Sequence, residues 1–424
     1  MRILFFNTYE NGGGAAVAAN RLMKALQKRE LQVKTIVAKK NSYDKSVLSA
    51  SETKIGEIAM FIRFSWERLI IFLSNRLNYK LLFKVSIANT GINVNKYAVA
   101  NEVDVFHLHW INQGFLSLSG IKCLLRSGKP IVWTIHDMWP LTGICHHAWE
   151  CKRFTEKCGN CPYLSSGNQR DLSYKIWEKK KFIAQSNIHI VTVSNWLAEK
   201  VRKSSITNKL SVTIIPNTID SSIFYPKEKK AVRNALSLPL NKRIMLMGAA
   251  NLNDPIKGFD NLKKSLSFLV QNYEHKQEDL LLILFGDIKN KHSFFADLLI
   301  PYLYLGSLND INKISDLYSA ADVTVVPSYY ESFGQTIIES MACGCPAVSF
   351  DNGGQADIID HKTNGYLAHS DDIEDFAEGI NWAFANSNDE LLLSCINKIQ
   401  NNYTESIVSE KYIELYKNLL TKNK

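Results

Sequence analysis

Short apolar segments alternate with amphipathic segments along the whole chain. The apolar segments are about four to eight residues long, as in RILFFNT near the N-terminus and the β-branched DVTVV at 322–326. Between most of them, apolar residues recur at helical spacing, as in AAVAANRLMKALQKR. This alternation of strands and helices predicts parallel sheets with helices on both faces.

The alternating pattern falls into two series. One runs from RILFFNT to VTIIPN (212–217), and the other runs from RIMLMGAA (243–250) to PAVSF (346–350). A polar stretch with Pro226 and KEKK (227–230) separates them and is the predicted linker. We therefore expect an α/β protein with two doubly wound, Rossmann-like domains, which face each other across a cleft. Ligands of such sheets bind beyond the carboxyl ends of the strands.

Two glutamates in the segment SYYESFGQTIIESMACGCP (328–346) are the most specific feature of the sequence. Glu331 is predicted in a loop between a strand and a helix, and Glu339 is predicted on that helix. The backbone N–H groups near Phe333, Gly334 and Gln335 would open the helix and attract an anion. Two carboxylates beside a phosphate-sized site suit a ligand with hydroxyl groups at both ends and phosphates in the middle, such as a sugar nucleotide.

The segment E331SFGQTIIE339 resembles the Glu-(seven residues)-Glu motif of the retaining GT-B glycosyltransferases of glycosyltransferase family 4, and M-A-x-G-x-P follows it. The resemblance implies sugar transfer, with retention of configuration, from a UDP- or GDP-linked sugar to a saccharide or lipid-linked saccharide. A role in bacterial surface polysaccharide synthesis is the expected setting. Glu331 would approach the donor sugar, and Glu339 would bind the ribose hydroxyls. No catalytic cofactor is expected, because lysine and N–H dipoles would neutralise the diphosphate.

The same resemblance implies further site residues and a domain plan. His136 would be catalytic beside Glu331, although capping the sheet by hydrogen bonding is an alternative role; His107 and His109 are expected to be structural. Asn251 stands where the family commonly has an arginine, so Lys257 would carry more of the diphosphate binding. The expected donor-binding residues are Gly13, Gly14, Asn251, Lys257, Gly306, Ser332, Phe333, Gly334, Gln335 and Glu339. The expected domains are residues 1–225, with a helical insert at about 50–100 and a cysteine-rich loop at 138–165, and residues 240–405. A final helix at 406–424 would pack on the first domain.

Four of the eight cysteines lie close together in CHHAWECKRFTEKCGNC (145–161). Cys145, Cys151, Cys158 and Cys161 would suit a tetrahedral structural zinc site, although the first spacing is wider than usual. His146 or His147 could replace one ligand. Reduced thiols, or two disulfides in an oxidising compartment, are the alternatives.

Charge and the segment 55–84 bear on the partners of the protein. The formal net charge of +9 indicates phosphorylated substrates, anionic lipid or nucleic acid, and no nucleic-acid-binding module is evident. Residues 55–84 carry an apolar helical stripe and several basic residues. The stripe would pack on the first domain or, alternatively, rest on an anionic membrane.

We expect a cytoplasmic enzyme, with peripheral membrane contact as the alternative to a fully soluble one, because the N-terminus is too short and too polar for a signal peptide. Two other functions remain open at this point. One is another enzyme on the same fold, such as a nucleotide-sugar epimerase or a sugar phosphorylase. The other is a non-catalytic module that binds nucleic acid through the cysteine loop and the basic surface.

Overall fold

The computed structural model describes residues 1–97 and 99–422, which divide into two compact units. Unit 1 comprises residues 1–216 together with the C-terminal segment from Ser409, and unit 2 comprises residues 217–408. The chain enters unit 2 after Pro216, earlier than the linker predicted at 226–230. The reason is packing: Lys227 forms an ion pair of 2.6 Å with Asp316 of unit 2.

Unit 1 is built on one sheet of seven strands. The strands are β1 (Arg2–Phe6), β2 (Gln32–Val37), β3 (Val47–Ser49), β4 (Val105–Leu108), β5 (Ile131–Ile135), β6 (His189–Thr192) and β7 (Val212–Ile214). All are parallel, in the order β3-β2-β1-β4-β5-β6-β7. The helices of this unit are α1 (Gly14–Lys28), α2 (Lys54–Ser74), α3 (Val99–Glu102), α4 (Leu118–Arg126), α5 (Leu172–Lys180) and α6 (Asn195–Lys203).

Unit 2 repeats this plan with six strands. They are β8 (Arg243–Asn251), β9 (Leu280–Asp287), β10 (Tyr302–Tyr304), β11 (Val323–Val326), β12 (Ala347–Phe350) and β13 (Gly365–Ala368), all parallel in the order β10-β9-β8-β11-β12-β13. The helices are α7 (Lys229–Ala235), α8 (Phe259–Asn272), α9 (Lys291–Phe295), α10 (Ile311–Ala320), α11 (Gln335–Ala342), α12 (Ile373–Ala385) and α13 (Asp389–Asn402).

The strand order places a ligand-binding edge in each unit. In unit 1, β2 and β3 lie on one side of β1, and the strands from β4 onward lie on the other side. In unit 2, β9 and β10 lie on one side of β8, and the strands from β11 onward lie on the other. The loops after the two central strands therefore diverge and leave a crevice at this switch point. The predicted α/β architecture is confirmed. The strands β3 and β13 were not predicted, because their segments VLS and GYLA lack the longer apolar runs that marked the other strands.

The last helix, α14 (Glu405–Lys422), contributes two tyrosines to the interior of unit 1. The Tyr416 hydroxyl is 2.7 Å from Nδ1 of His107, and the Tyr412 hydroxyl is 2.9 Å from Oγ1 of Thr134. Both tyrosines are buried. Helix α14 thus contributes to the core of unit 1.

Helix α2 is shorter than the predicted helical stripe. Its first turn is capped by the Thr53 hydroxyl, which accepts a hydrogen bond from the Gly56 N–H, and the helix ends at Ser74. Arg76 and Leu77 then adopt positive φ angles of 53° and 61°, which a helix cannot continue through. Within the described residues, no helix combines the length and apolar character needed to cross a membrane.

The burial of α2 is inverted relative to an ordinary amphipathic helix. Glu67 and Arg68 are buried and form an ion pair of 3.1 Å, and Glu67 Oε1 accepts hydrogen bonds from the N–H groups of Ile87 and Ala88. Seven large apolar side chains are instead between 44% and 79% exposed, and we call them the apolar face of α2: Ile55, Ile58, Phe61, Ile62, Trp66, Leu69 and Leu73. The prediction that this stripe packs on the domain is therefore wrong. Arg68, which the sequence placed with the basic surface, is a buried anchor.

Candidate active site

The switch point of unit 2 brings together two predicted site residues. Lys257 follows β8 and Glu331 follows β11, and these strands are neighbours in the sheet. Nζ of Lys257 donates a hydrogen bond of 2.6 Å to Oε1 of Glu331, and the Ser328 hydroxyl donates one of 2.9 Å to the same oxygen. Both charged side chains are partly exposed, so the pair is reachable by a ligand. The sequence assigned these two residues separate roles and did not predict their contact.

Glycine is required where the chain passes close to this pair. A Cβ atom on Gly258, whose φ is +68°, would lie 1.8 Å from the Pro327 carbonyl oxygen. A Cβ atom on Gly353 would lie 2.2 Å from the Glu331 carbonyl oxygen, and the N–H of Gly354 donates to that oxygen at 2.7 Å. The loop after β12 thus supports the backbone of Glu331. Sequence reasoning missed Gly353 and Gly354, although a glycine pair in the short loop after a strand was the available signal.

The helices next to the switch points begin without a side-chain cap. Helices α8 and α11 in unit 2 and α1 in unit 1 have glycine at the N-cap and no capping hydrogen bond from a side chain. A Ser, Thr, Asp, Asn or Glu side chain caps most of the other described helices, including α2, α4, α5, α6, α7, α10, α12 and α13. N–H groups at a helix start that no side chain caps favour an anion. Unit 2 directs two such starts to its switch point.

Glu339 lies on α11, as predicted. Its Oε2 accepts a hydrogen bond of 3.2 Å from the Tyr318 hydroxyl, and the side chain is partly exposed. Of the residues just before α11, Phe333 is buried and its ring packs edge-on to Tyr403. Only the backbone of Phe333 can therefore contact a ligand. Ser332 and Gln335 are partly exposed beside it.

Two other predicted donor residues lie farther along the same edge of the sheet. Asn251 ends β8 and uses its Oδ1 to accept the N–H of Asn253 at 2.9 Å, which holds the turn toward Lys257. Gly306 follows β10, and β9 separates β10 from β8. The Gly306 carbonyl oxygen accepts the N–H of Gly286 at 2.9 Å. Gly306 is thus two strands away from the ion pair.

In unit 1, the loops after β4 and β5 bring two histidines into contact. Nδ1 of His109 is 3.2 Å from Nε2 of His136. His107 is structural as predicted, with its two ring nitrogens 2.7 Å from Tyr416 and Thr134. His109 is buried too, but its Nε2 has no hydrogen-bond partner among the described residues, so it is not fully satisfied as His107 is. His109 thus joins His136 as a candidate site residue.

Asp137 connects His136 to the cysteine-rich loop. Its carboxylate accepts hydrogen bonds from Nε1 of Trp110 at 2.8 Å, from the Trp139 N–H at 2.8 Å and from Nδ1 of His146 at 2.7 Å. Burial alone would raise the pKa of Asp137, but the His146 imidazole and the hydrogen bonds from His146 and the Trp139 N–H lower it to about 2. An ionised Asp137 therefore holds the start of the loop.

We predict an acid-sensitive stability from this histidine cluster. Burial lowers the pKa of His136 from 6.5 to about 4, and burial also lowers the pKa of His107 and His109. Between these two pH values the unfolded chain binds more protons than the folded one, so the free energy of unfolding should fall as the pH falls. His136→Gln should reduce the drop in Tm between about pH 7 and about pH 5. The same drop as in the unaltered protein would contradict this, and exposed His292→Gln is the control.

The glycine loop of unit 1 leads into α1 as predicted. Gly13 is the N-cap with a φ of +81°, and Gly14 is the first residue of the helix. A Cβ atom on either glycine would meet no heavy atom within 4 Å. The backbone here is therefore open to a ligand.

The four clustered cysteines surround one small cavity in unit 1. Cys145, Cys151, Cys158 and Cys161 all line a space of about 20 Å³, and all four are free thiols. Burial raises the pKa of Cys158 to about 11 and that of Cys161 to about 12. Within residues 1–97 and 99–422, no group of three or more His, Cys, Asp or Glu side chains is placed to hold a metal ion. His146 is bonded to Asp137 and Ser86 instead.

Two family profiles match the chain. The profile described as Glycosyltransferase Family 4 covers residues 12–223, and the one described as Glycosyl transferases group 1 covers residues 228–402. Among curated proteins, the chain is 28% identical over 289 residues to a D-inositol 3-phosphate glycosyltransferase of Thermobispora bispora. That alignment covers 65% of this chain and 61% of the relative; for a similarly named protein of Saccharomonospora viridis, 58% of the relative is covered.

Solved structures establish the fold. Sucrose-phosphate synthase from Thermosynechococcus elongatus aligns with a TM-score of 0.69 at 18% identity, over 99% of both chains. HepE from Anabaena, solved in complex with UDP-glucose, aligns with a TM-score of 0.64 at 15% identity, over 99% of this chain and all of that one. The predicted GT-B fold is confirmed. With a family profile over half of its length, motif and fold in agreement, the chain belongs to glycosyltransferase family 4.

Proposed function

We propose that this protein is a retaining glycosyltransferase that uses a nucleotide-diphosphate sugar as donor. The observation that supports this best is the ion pair of Lys257 and Glu331 at the switch point of unit 2, next to the uncapped starts of α8 and α11. A cation and two helix starts suit a diphosphate, and a carboxylate beside them suits sugar hydroxyls. The acceptor would be a saccharide or a lipid-linked saccharide of a bacterial surface polysaccharide.

The chemistry would depend mainly on positioning and charge. Lys257 and the N–H groups of α8 and α11 would offset the negative charge that develops on the leaving diphosphate. Glu331 would bind the donor sugar, and Glu339 would accept hydrogen bonds from the ribose. Since burial keeps the pKa of His136 at about 4, its ring would be neutral near pH 7 and able to accept a hydrogen bond from an acceptor hydroxyl. Holding both reactants in place would supply much of the rate enhancement.

The donor is best tested by binding and then by product analysis. A panel of UDP- and GDP-linked sugars should raise the Tm for one nucleotide, since a ligand at 100 times its Kd adds about 2.7 kcal/mol to stability. With that donor and candidate acceptors, including saccharides, lipid-linked saccharides and inositol phosphate, NMR of the product should show the anomeric configuration of the donor. Inverted product would refute retention. Conversion of the donor into another nucleotide sugar without acceptor would favour an epimerase.

We further propose that the apolar face of α2 rests on the inner leaflet of a membrane, where lipid-linked acceptors are found. Its seven apolar side chains are exposed, while the buried ion pair of Glu67 and Arg68 fixes the opposite side of the helix to unit 1. Leu77 and Phe83 extend the exposed apolar surface beyond the helix. An outward apolar face with nearby cations is typical of interfacial helices. The nearby cations are Lys54, Arg63, Arg76 and Lys80.

Purified protein should bind vesicles that contain phosphatidylglycerol and should leave them as salt is raised, because each basic residue near such a surface contributes about 1 kcal/mol and salt screens it. Ile62→Glu with Trp66→Glu should abolish binding, because both exposed side chains would carry a charge into the lipid. Leu393→Glu on α13 is a matched control with a similarly exposed side chain in unit 2. Equal binding of the double variant and the unaltered protein would exclude this surface.

The alternative of a nucleic-acid-binding module loses its support. The two glycosyltransferase profiles together account for residues 12–223 and 228–402, and the segment with most exposed apolar surface is the helix α2. An apolar exposed face suits lipid better than phosphate backbones, which bind basic and polar surfaces.

A further inference from the structure

The loop between residues 138 and 165 is long and nearly without regular structure. It contains only two short 3₁₀ turns among its described elements, Trp139–Leu141 and Arg153–Thr155. Loops of this length in compact domains usually need a function or a fastening. Nevertheless, much of the loop is buried, including Cys145, Cys158 and the side chain of Phe154. Something other than helix or strand hydrogen bonds must therefore stabilise it.

One of the clustered sulfur atoms is already placed as the acceptor of a backbone N–H group. The Gly143 N–H donates to Sγ of Cys158 at 3.2 Å. Gly143 can do so because its missing side chain leaves room: a Cβ atom there would lie 2.4 Å from the Ser173 carbonyl oxygen. Donors aimed at sulfur favour the charged thiolate over the neutral thiol and commonly surround metal-bound cysteines.

A buried lysine lies beside the same cavity. Lys180 is fully buried, and its Nζ donates to the carbonyl oxygens of Trp139 at 2.6 Å and Thr142 at 3.0 Å. It lies within electrostatic reach of Cys145, Cys158 and Asp137. Thiolates in the cavity would add negative charge beside this amino group and would stabilise its protonated form.

We propose that Cys145, Cys151, Cys158 and Cys161 bind one structural zinc ion in this cavity. The cavity of about 20 Å³ is common to all four residues, and it is large enough for one small occupant. As placed, the thiols do not form a ligand set, so binding requires their side chains to turn into the cavity between staggered rotamers. Four thiols would lose their protons to solvent, and four Zn–S bonds of about 2.3 Å would form.

The site would be structural, because four cysteine ligands leave no open position on the metal. Zinc binding would also affect the surroundings of His136. The loop carries His146, whose Nδ1 is 2.7 Å from Asp137, and Asp137 is the direct neighbour of His136 in the chain. Zinc would thus hold in place the loop that surrounds this histidine. This proposal does not depend on which sugar the enzyme transfers.

The decisive experiment is elemental analysis of protein prepared without a metal-binding tag. We expect about one zinc per chain, in keeping with a closed four-cysteine site, and no stoichiometric iron. Cys158→Ser with Cys161→Ser should lose the zinc, whereas Cys123→Ser, outside the loop and bonded to Asn95, should keep it. Removing zinc with a chelator should lower the Tm of the unaltered protein, and it should leave the Tm of the double variant unchanged.

A second measurement covers the case in which the double variant does not fold. Cobalt(II) exchanged into the unaltered protein should give the visible absorption of tetrahedral thiolate coordination, and zinc should abolish it. After denaturation with a chelator, all eight cysteines should react as thiols. No zinc and no cobalt spectrum would overturn the proposal, whether the thiols are then free or paired in disulfides. An iron-containing, coloured protein would overturn it as well.

Discussion

Replacing Glu331 with glutamine should lower the rate of sugar transfer about 100-fold or more, as the loss of one charged group from a preorganised site typically does. The same change should not weaken binding of the free nucleoside diphosphate. Nζ of Lys257 donates to Oε1 of Glu331, so the carboxylate competes with phosphate oxygens for this cation. Without the competing charge, nucleoside diphosphate affinity should stay equal or rise. Single-turnover kinetics and calorimetric titration measure the two effects separately.

Glu339→Gln is the matched variant eight positions farther along the chain. Loss of the Glu339 carboxylate should weaken nucleotide binding itself by roughly 1.5–3 kcal/mol, the range for a hydrogen bond to a charged group. Tyr318→Phe should cause a smaller loss, since it removes the 3.2 Å hydrogen bond that orients Glu339 but leaves the carboxylate. If both glutamine variants lost the same amount of nucleotide affinity, the proposed division of roles would be wrong.

Lys257→Met should lower affinity for the nucleoside diphosphate by roughly 10- to 100-fold, because a charge-assisted hydrogen bond is lost and about 1.4 kcal/mol corresponds to tenfold. Affinity for the uncharged nucleoside should change little. The variant also removes the cation beside Glu331. Glu331 then retains only the hydrogen bond from the Ser328 hydroxyl, at 2.9 Å, among the two side-chain bonds described above. Transfer should therefore fall further than nucleoside diphosphate affinity does.

The control for this variant is Lys263→Met on α8. Lys263 forms a surface ion pair of 3.1 Å with Asp260, one helical turn earlier. Such pairs contribute little to stability, so the variant should fold and bind nucleotide normally. Calorimetric titration of both variants with nucleoside and nucleoside diphosphate makes the comparison. Equal losses for nucleoside and nucleoside diphosphate in Lys257→Met would indicate a folding defect rather than a phosphate contact.

The fold class and the candidate donor motif could be predicted from the sequence because both rest on local patterns. Strand and helix periodicities are visible within about ten to fifteen residues. Each pattern therefore identifies its own strand or helix without information on the elements that it packs against. Glu331 and Glu339 lie within one strand–loop–helix unit, so their placement on the loop and on α11 follows from that unit alone. The match with a known family motif added the roles that such positions take.

The contact between Lys257 and Glu331 depended on tertiary structure. The two residues are 74 positions apart. They meet because β11 pairs with β8, on the side opposite to β9. Strand order is set by long-range packing and chain crossings, which no local pattern encodes. The same holds for His109 and His136, which follow the neighbouring strands β4 and β5.

Sequence by itself thus determined most of the strands and helices, and it indicated which short motif would bind a donor. Only the tertiary structure decided which face of α2 is buried. Helical spacing revealed its apolar stripe but not its direction, because an amphipathic pattern has the same period whichever face meets the protein. The N–H groups of Ile87 and Ala88, twenty and twenty-one residues away, donate hydrogen bonds to Glu67 and hold the polar pair inward. Burying two charges requires hydrogen-bond partners from elsewhere in the chain, and folding alone brings those partners close to Glu67 and Arg68.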